Sequence, residues 1–159
     1  MTLNTGAGRR VILFLATGGM VGLIPAAPGT FGSLLGLGGC YLLGGFDFSL
    51  AFLLVIVLFC LAVKIAGDAE KILGRKDPGA IVIDEIVGMA VTLLGFEFSW
   101  PLAAAGFAVF RVLDIFKPFP IRTIERRFSG GFGIVIDDVV AGVFANLILR
   151  VLSKAFHIF

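Results

Sequence analysis

From Val11 to Phe46 the chain carries no charged side chain, and after Asp47 a second charge-free run extends from Phe48 to Val63. A helix that crosses a bilayer needs roughly 20 mostly apolar residues, so runs of this length restrict the fold more than any motif does. The rest of the chain agrees: of 159 residues 58% are hydrophobic and 15% charged, with mean hydropathy +1.07, outside the range of soluble domains. The expected architecture is all-α and polytopic. A single membrane-embedded domain over 1–159 would hold about four membrane helices, short re-entrant or interfacial helices, and an internal repeat of an acidic helix start. A cleaved signal peptide does not fit, because the first run is too long, is broken by Pro25 and Pro28, and is followed by apolar segments up to the C-terminus.

The repeat is short and specific. Ile81-Val-Ile-Asp84-Glu85-Ile-Val-Gly88 returns as Ile134-Val-Ile-Asp137-Asp138-Val-Val-Ala-Gly142, each copy setting two carboxylates at the mouth of an apolar run. One Asp there could be an ordinary cap, favoured by the positive end of the helix dipole. Two paired copies in so apolar a chain ask for a chemical reason. If both open apolar helices on the same side, four carboxylates would surround one hole.

Turns and charges order the remainder. Arg9 and Arg10 precede Val11 to Ile24, a stretch too short to cross, and Pro25 to Ser33 then reads as a re-entrant loop. Thr30 or Ser33 would cap the next helix, and amides at such a start could receive a phosphate oxygen. The turns at 44–49 and 95–101 contain no Lys or Arg, whereas Lys64, Lys71, Arg75, Lys76, Arg111, Lys117, Arg122, Arg126 and Arg127 gather in two other regions. Basic loops stay cytoplasmic, so both acidic elements are expected at the cytoplasmic face. Arg150 and Lys154 run against this, since a last helix starting inside would carry them outward.

Arg111, Asp114 and Lys117 are spaced by three along a helix that Pro118 must end, which lets them act together. An Arg111–Asp114 pair on one helix is the plainer reading, though it does not account for Lys117. The segment Ile121 to Phe128, with Arg122, Arg126 and Arg127, reads as a short interfacial helix suited to anionic lipid head groups. Asp77-Pro-Gly is a turn, and Asp68 with Lys71 mirrors Asp114 with Lys117. Clustered hard oxygen donors, namely Asp84, Glu85, Asp137 and Asp138 with Asp77 and Asp114 nearby, suit magnesium shared with phosphate oxygens, and Arg or Lys would balance the remaining charge. His157, the one histidine, reads as a terminal anchor, and Cys40 and Cys60 as core or lipid-facing residues without a neighbour to activate a thiolate.

Pro28-Gly-Thr-Phe-Gly-Ser33, Ile81 to Met89, Phe110 to Arg122 and Gly130 to Gly142, in that order, resemble the motifs of the phosphatidylglycerophosphatase A family over nearly the whole chain. That resemblance implies a bacterial inner-membrane lipid phosphatase, cytoplasm-facing, that converts phosphatidylglycerophosphate to phosphatidylglycerol with Mg2+. The matching positions would be Glu85, Asp137, Asp138 and Asp84 for the metal and Asp84, Asp114 and Glu85 for catalysis. Lys117, Arg111, Thr30, Gly29 and Arg122 would bind the phosphate, with Asp77, Asp68 and Lys71 as secondary candidates. The bilayer and the phospholipid are the expected partners, nucleic acid is not, and a homodimer stays open. A small transporter or ion-binding protein, or another lipid phosphotransferase, is the rival reading; every candidate ligand falling on one side of the membrane favours the hydrolase.

Overall fold

The computed structural model describes residues 6–156, so His157 lies outside the described residues. Within them the chain is helical and contains no strand: α1 Gly6–Ala16, a 3-10 turn Val21–Leu23, α2 Pro28–Leu43, α3 Phe48–Leu73, α4 Ile83–Thr92, α5 Trp100–Phe116, α6 Ile121–Arg127 and α7 Gly130–Phe156. Local chemistry explains several boundaries. Asp47 accepts from the amides of Ser49 and Leu50 to start α3, Ser99 caps α5 with Pro101 behind it, and left-handed Gly74 ends α3.

The expectation for α2 needs correcting. Pro28 is its first residue and Ala27 its cap, with no side-chain bond, so neither Thr30 nor Ser33 caps the helix. Ser33 Oγ instead donates back to the Gly29 carbonyl at 2.8 Å inside the first turn. The second acidic element is also placed differently from the first. Asp84 and Glu85 occupy the first turn of α4, but α7 begins at Gly130, so Asp137 and Asp138 sit well inside a long helix. The two copies share sequence without sharing a position in their helices.

α4 is the axis of the bundle. At ten residues it is about 15 Å long, roughly half the thickness of a hydrocarbon core. α2 and α7 close on it through small residues. A Cβ on Gly36 would press on Met89 and Ile86, and one on Gly142 would lie 2.5 Å from the Gly88 carbonyl oxygen, so backbone meets backbone where α7 crosses α4. Two apolar clusters flank the crossing. Ile83 and Val87 of α4 pack with Ala62 and Ala66 of α3 and Val135 of α7, while Met89 and Leu93 pack with Leu102 and Phe110 of α5 and Leu149 of α7.

The far end of α4 would leave its last carbonyls unsatisfied inside the bundle. Asn146 of α7 resolves this: its Nδ2 donates to the carbonyls of Val91, Thr92 and Leu94 at 3.2, 2.9 and 3.0 Å. Arg150 adds a bond to Leu94 at 3.1 Å, is held by Asn146 Oδ1 at 2.8 Å, and lies over the Phe96 ring. A cation there also complements the negative end of the α4 dipole. Arg150, out of place for an outer helix end, thus has a definite structural role.

α3 and α7 are the two helices long and apolar enough to cross a membrane. α3 leaves most of its apolar surface exposed, whereas half of the α7 window is buried. Of the cysteines, Cys40 is buried with its thiol directed at the Met89 carbonyl, and Cys60 is exposed on α3.

Candidate active site

One end of the bundle gathers the first turns of α2 and α4, the last turn of α5, and the stretch of α7 around Asp137 and Asp138. Asp84, Glu85 and Asp138 each present a carboxylate oxygen, and these three oxygens lie within 4.8 Å of one another. Asp84 is 9% exposed and Asp138 4%, so three acids share a nearly dry space. Asp84 Oδ1 and Glu85 Oε2 are buried without a hydrogen-bond partner. Buried carboxylate oxygens without partners are costly unless a proton or a cation completes them. Hard oxygen donors this close, with lone pairs unspent, suit a small divalent cation such as Mg2+.

Asp137 is turned away from this group. Its Oδ2 accepts from Lys117 Nζ at 2.6 Å, and Lys117 is also held by Glu125 Oε1 at 2.7 Å. The four-carboxylate hole expected from the repeat is therefore a three-carboxylate one. Asp137 and Asp138 are adjacent on α7 and so leave it in directions about 100° apart; Asp138 is directed at the α4 acids, and the ion pair with Lys117 holds Asp137. Lys117 owes its place to the left-handed conformation that ends α5 before Pro118. Burial alone would favour its neutral amine, but the bonds to Asp137 and Glu125 outweigh that and hold its pKa above the ordinary lysine value.

Arg111 bridges the remaining partners. Its Nη1 bonds Asp114 Oδ2 at 2.5 Å and Ser33 Oγ at 3.4 Å, and stands 4.0 Å from Glu85 Oε1. The pair expected along α5 forms, and it also reaches α4 and α2. Gly29 completes the wall. A Cβ there would fall on Glu85 Oε1 and come within 3.2 Å of Arg111 Nη1, so glycine leaves room for the acid. Thr30 follows in the same turn, with its amide already bonded to the Ala27 carbonyl.

The other candidates lie outside. Asp68 pairs with Lys64 at 3.6 Å and Lys71 at 3.8 Å along α3, with both lysines exposed. Arg122 is exposed and bonds the Phe116 carbonyl at 3.1 Å. Asp77 lines a cleft with Glu70, Lys76, Glu125 and Arg126, closed on the α7 side by Gly133 and Ile134. Its carboxyl is raised above the usual range, chiefly by burial, with Lys117 pulling the other way. Two participants escaped sequence reasoning. Ser33 touches Arg111 from within a quoted motif, and Glu125 could have been noticed as the lone acid among Arg122, Arg126 and Arg127.

Comparison with known proteins gives a consistent result. The profile of a family described as phosphatidylglycerophosphatase A matches residues 14–153. The phosphatidylglycerophosphatase A of Escherichia coli K12 is 43% identical over 136 residues, covering 85% of this chain and 79% of that protein. That of Haemophilus influenzae is 39% identical over 140 residues, covering 87% and 86%. No solved structure matches.

Proposed function

The chain belongs to the phosphatidylglycerophosphatase A family, and from that premise we infer that it hydrolyses the terminal phosphomonoester of phosphatidylglycerophosphate with Mg2+, at the cytoplasmic face of a bacterial inner membrane. The observation that carries the chemical part is the meeting of Asp84, Glu85 and Asp138 around unpaired buried oxygens, with Arg111 beside Glu85 and Lys117 on the neighbouring Asp137. α3 and α7 would span, and the apolar α2 and α5 would complete about four membrane helices.

In this reading Asp84, Glu85 and Asp138 hold the ion. When bound, Mg2+ supplies positive charge against the phosphate oxygens and makes a nearby water more acidic. Arg111 has Glu85 and Asp114 on one side and presents its remaining donors to a phosphate. Asp114, already bonded to Arg111, fixes that guanidinium, which leaves Asp84 Oδ1 as the group placed to take a proton from attacking water. Asp137 and Glu125 hold Lys117 as a cation at the rim, where it can contact another phosphate oxygen. The bond from phosphorus to the glycerol oxygen breaks, inorganic phosphate forms, and the released alcohol keeps a proton taken from water. Gly29 and the Thr30 hydroxyl would line the same pocket.

The test is phosphate release from phosphatidylglycerophosphate by purified protein in detergent, with Mg2+ and with excess chelator. Asp84→Asn, Glu85→Gln and Asp138→Asn should each lower kcat by about 100-fold or more, since each keeps shape and removes ligand charge. Mg2+ at a hundredfold excess over its Kd should stabilise the parent by roughly 2–3 kcal/mol, read as a rise in Tm, and should stabilise the Glu85→Gln/Asp138→Asn double variant far less. Full activity in chelator would overturn the metal assignment while leaving the phosphatase activity standing.

A further inference from the structure

Beside the buried acids a second cleft opens between the end of α5 and α6. Lys117, Arg122 and Arg126 line it together with Phe116, Pro118, Phe119 and Thr123, and no acid is among the described lining residues. Phe116 is 69% exposed and Phe119 85%. A water-facing surface rarely leaves two neighbouring phenylalanines so bare, whereas cations next to exposed aromatics suit the boundary between lipid head groups and acyl chains.

Two details separate this cleft from a merely basic surface. Arg122 is tethered, its Nη2 bonded to the Phe116 carbonyl at 3.1 Å, so its guanidinium is oriented at the cleft wall. Lys117 belongs to both places, lining the cleft while its Nζ bonds Asp137 at 2.6 Å. Lys117 therefore ties the cleft to Asp137, whose neighbour along α7, Asp138, belongs to the carboxylate cluster. The substrate has a matching layout: a phosphomonoester at one end of a glycerol unit and a phosphodiester, continuous with the acyl chains, at the other.

We propose that this cleft is the phosphodiester subsite, in which Arg122 and Arg126 bind the phosphate that is not hydrolysed and Phe116 and Phe119 lie beside the acyl chains leading from it. The proposal rests on the carboxylate cluster being the site of the terminal phosphate. Two cations on an anionic phosphate make charge-assisted hydrogen bonds, and Arg can bind it in a bidentate manner. Phosphatidic acid, which has one phosphate and no phosphodiester, would leave the cleft empty. The enzyme would thus select a head group with two phosphates by holding the one it does not cut. Arg127, on the same helix, does not line the cleft and serves as the control.

Two soluble head-group analogues in detergent and Mg2+ test this: glycerol phosphate bearing a methyl phosphodiester on its far carbon, and the same molecule with a free hydroxyl there. The parent enzyme should prefer the diester analogue in kcat/KM by tenfold or more, roughly the worth of one charge-assisted contact. Arg126→Gln, and Arg122→Gln with Arg126→Gln, should bring that ratio close to one, while Arg127→Gln preserves it. A parent without preference would overturn the subsite. So would an unchanged ratio in the variants, an equal fall with Arg127→Gln, or hydrolysis of the lipid but of neither analogue. A parent inactive on phosphatidylglycerophosphate itself would instead overturn the activity. Because a ratio is read on one preparation, partial misfolding of a variant cancels.

Discussion

A glycine can be required by a charge or by a neighbouring backbone, and this chain contains both cases. At Gly29 the obstacle to a Cβ is the carboxylate of Glu85, the movable end of a flexible side chain. At Gly142 it is the carbonyl of Gly88, which cannot move without separating α7 from α4. Gly29→Ala should therefore leave Tm nearly unchanged but displace Glu85, lowering kcat by about 100-fold, the scale on which small misplacements of catalytic groups are felt. Gly142→Ala should destabilise by about 1–3 kcal/mol, as overpacking does. Detergent melting curves and phosphate release on the same preparations distinguish the two; matched losses in both measurements would contradict the distinction. Lys117 gives a second contrast at this scale. Its spacing from Arg111 and Asp114 is visible in the sequence, but the groups it meets are Asp137 and Glu125, which only the folding of α6 and α7 over the end of α5 supplies.

α4 is the element whose two ends do different work. Its first turn carries Asp84 and Glu85, and its last carbonyls are received by Asn146 and Arg150, so α7 supports the helix at the end remote from the acids. A short helix set inside an apolar bundle has no water to satisfy its C-terminus, which makes a polar side chain from a neighbour a necessity. Asn146→Leu keeps approximate shape, removes three hydrogen bonds and strands the Thr92 carbonyl, while Val91 keeps the Leu94 amide and Leu94 keeps Arg150. The expected cost is about 1–3 kcal/mol, seen as a lower Tm and as faster amide hydrogen exchange in α4 than elsewhere in the protein. Exchange that accelerates evenly over all helices would show that Asn146 does not act through α4.

On the scale of the whole molecule, every acid and base of the site lies at one end of the bundle, with the turns at 44–47 and 93–99 at the other. Cysteine labelling in intact cells checks the orientation that the basic loops imply. In a chain whose own cysteines are replaced by alanine, Glu97→Cys should react with a membrane-impermeant maleimide, and Lys76→Cys should react only after permeabilisation; the reverse pattern would put the site outside. Much of this was legible beforehand, because apolar content, turn residues and charge spacing act locally and leave their mark on the sequence. The helical class, the short helix α6, the end of α5 before Pro118 and the acids worth attention follow from such local rules. Local rules could not say that α7 starts at Gly130 and runs through Asp137, since Gly130 to Gly133 reads as a turn until α3 packs against it at Gly67 and Gly131. Nor could they say that Asp138 joins Asp84 and Glu85 while Asp137 takes Lys117, or that Arg150 serves α4. Those outcomes depend on the rotation of one helix about its axis against another, and that rotation is set by glycine contacts between residues far apart in the chain, which no local stretch of sequence encodes.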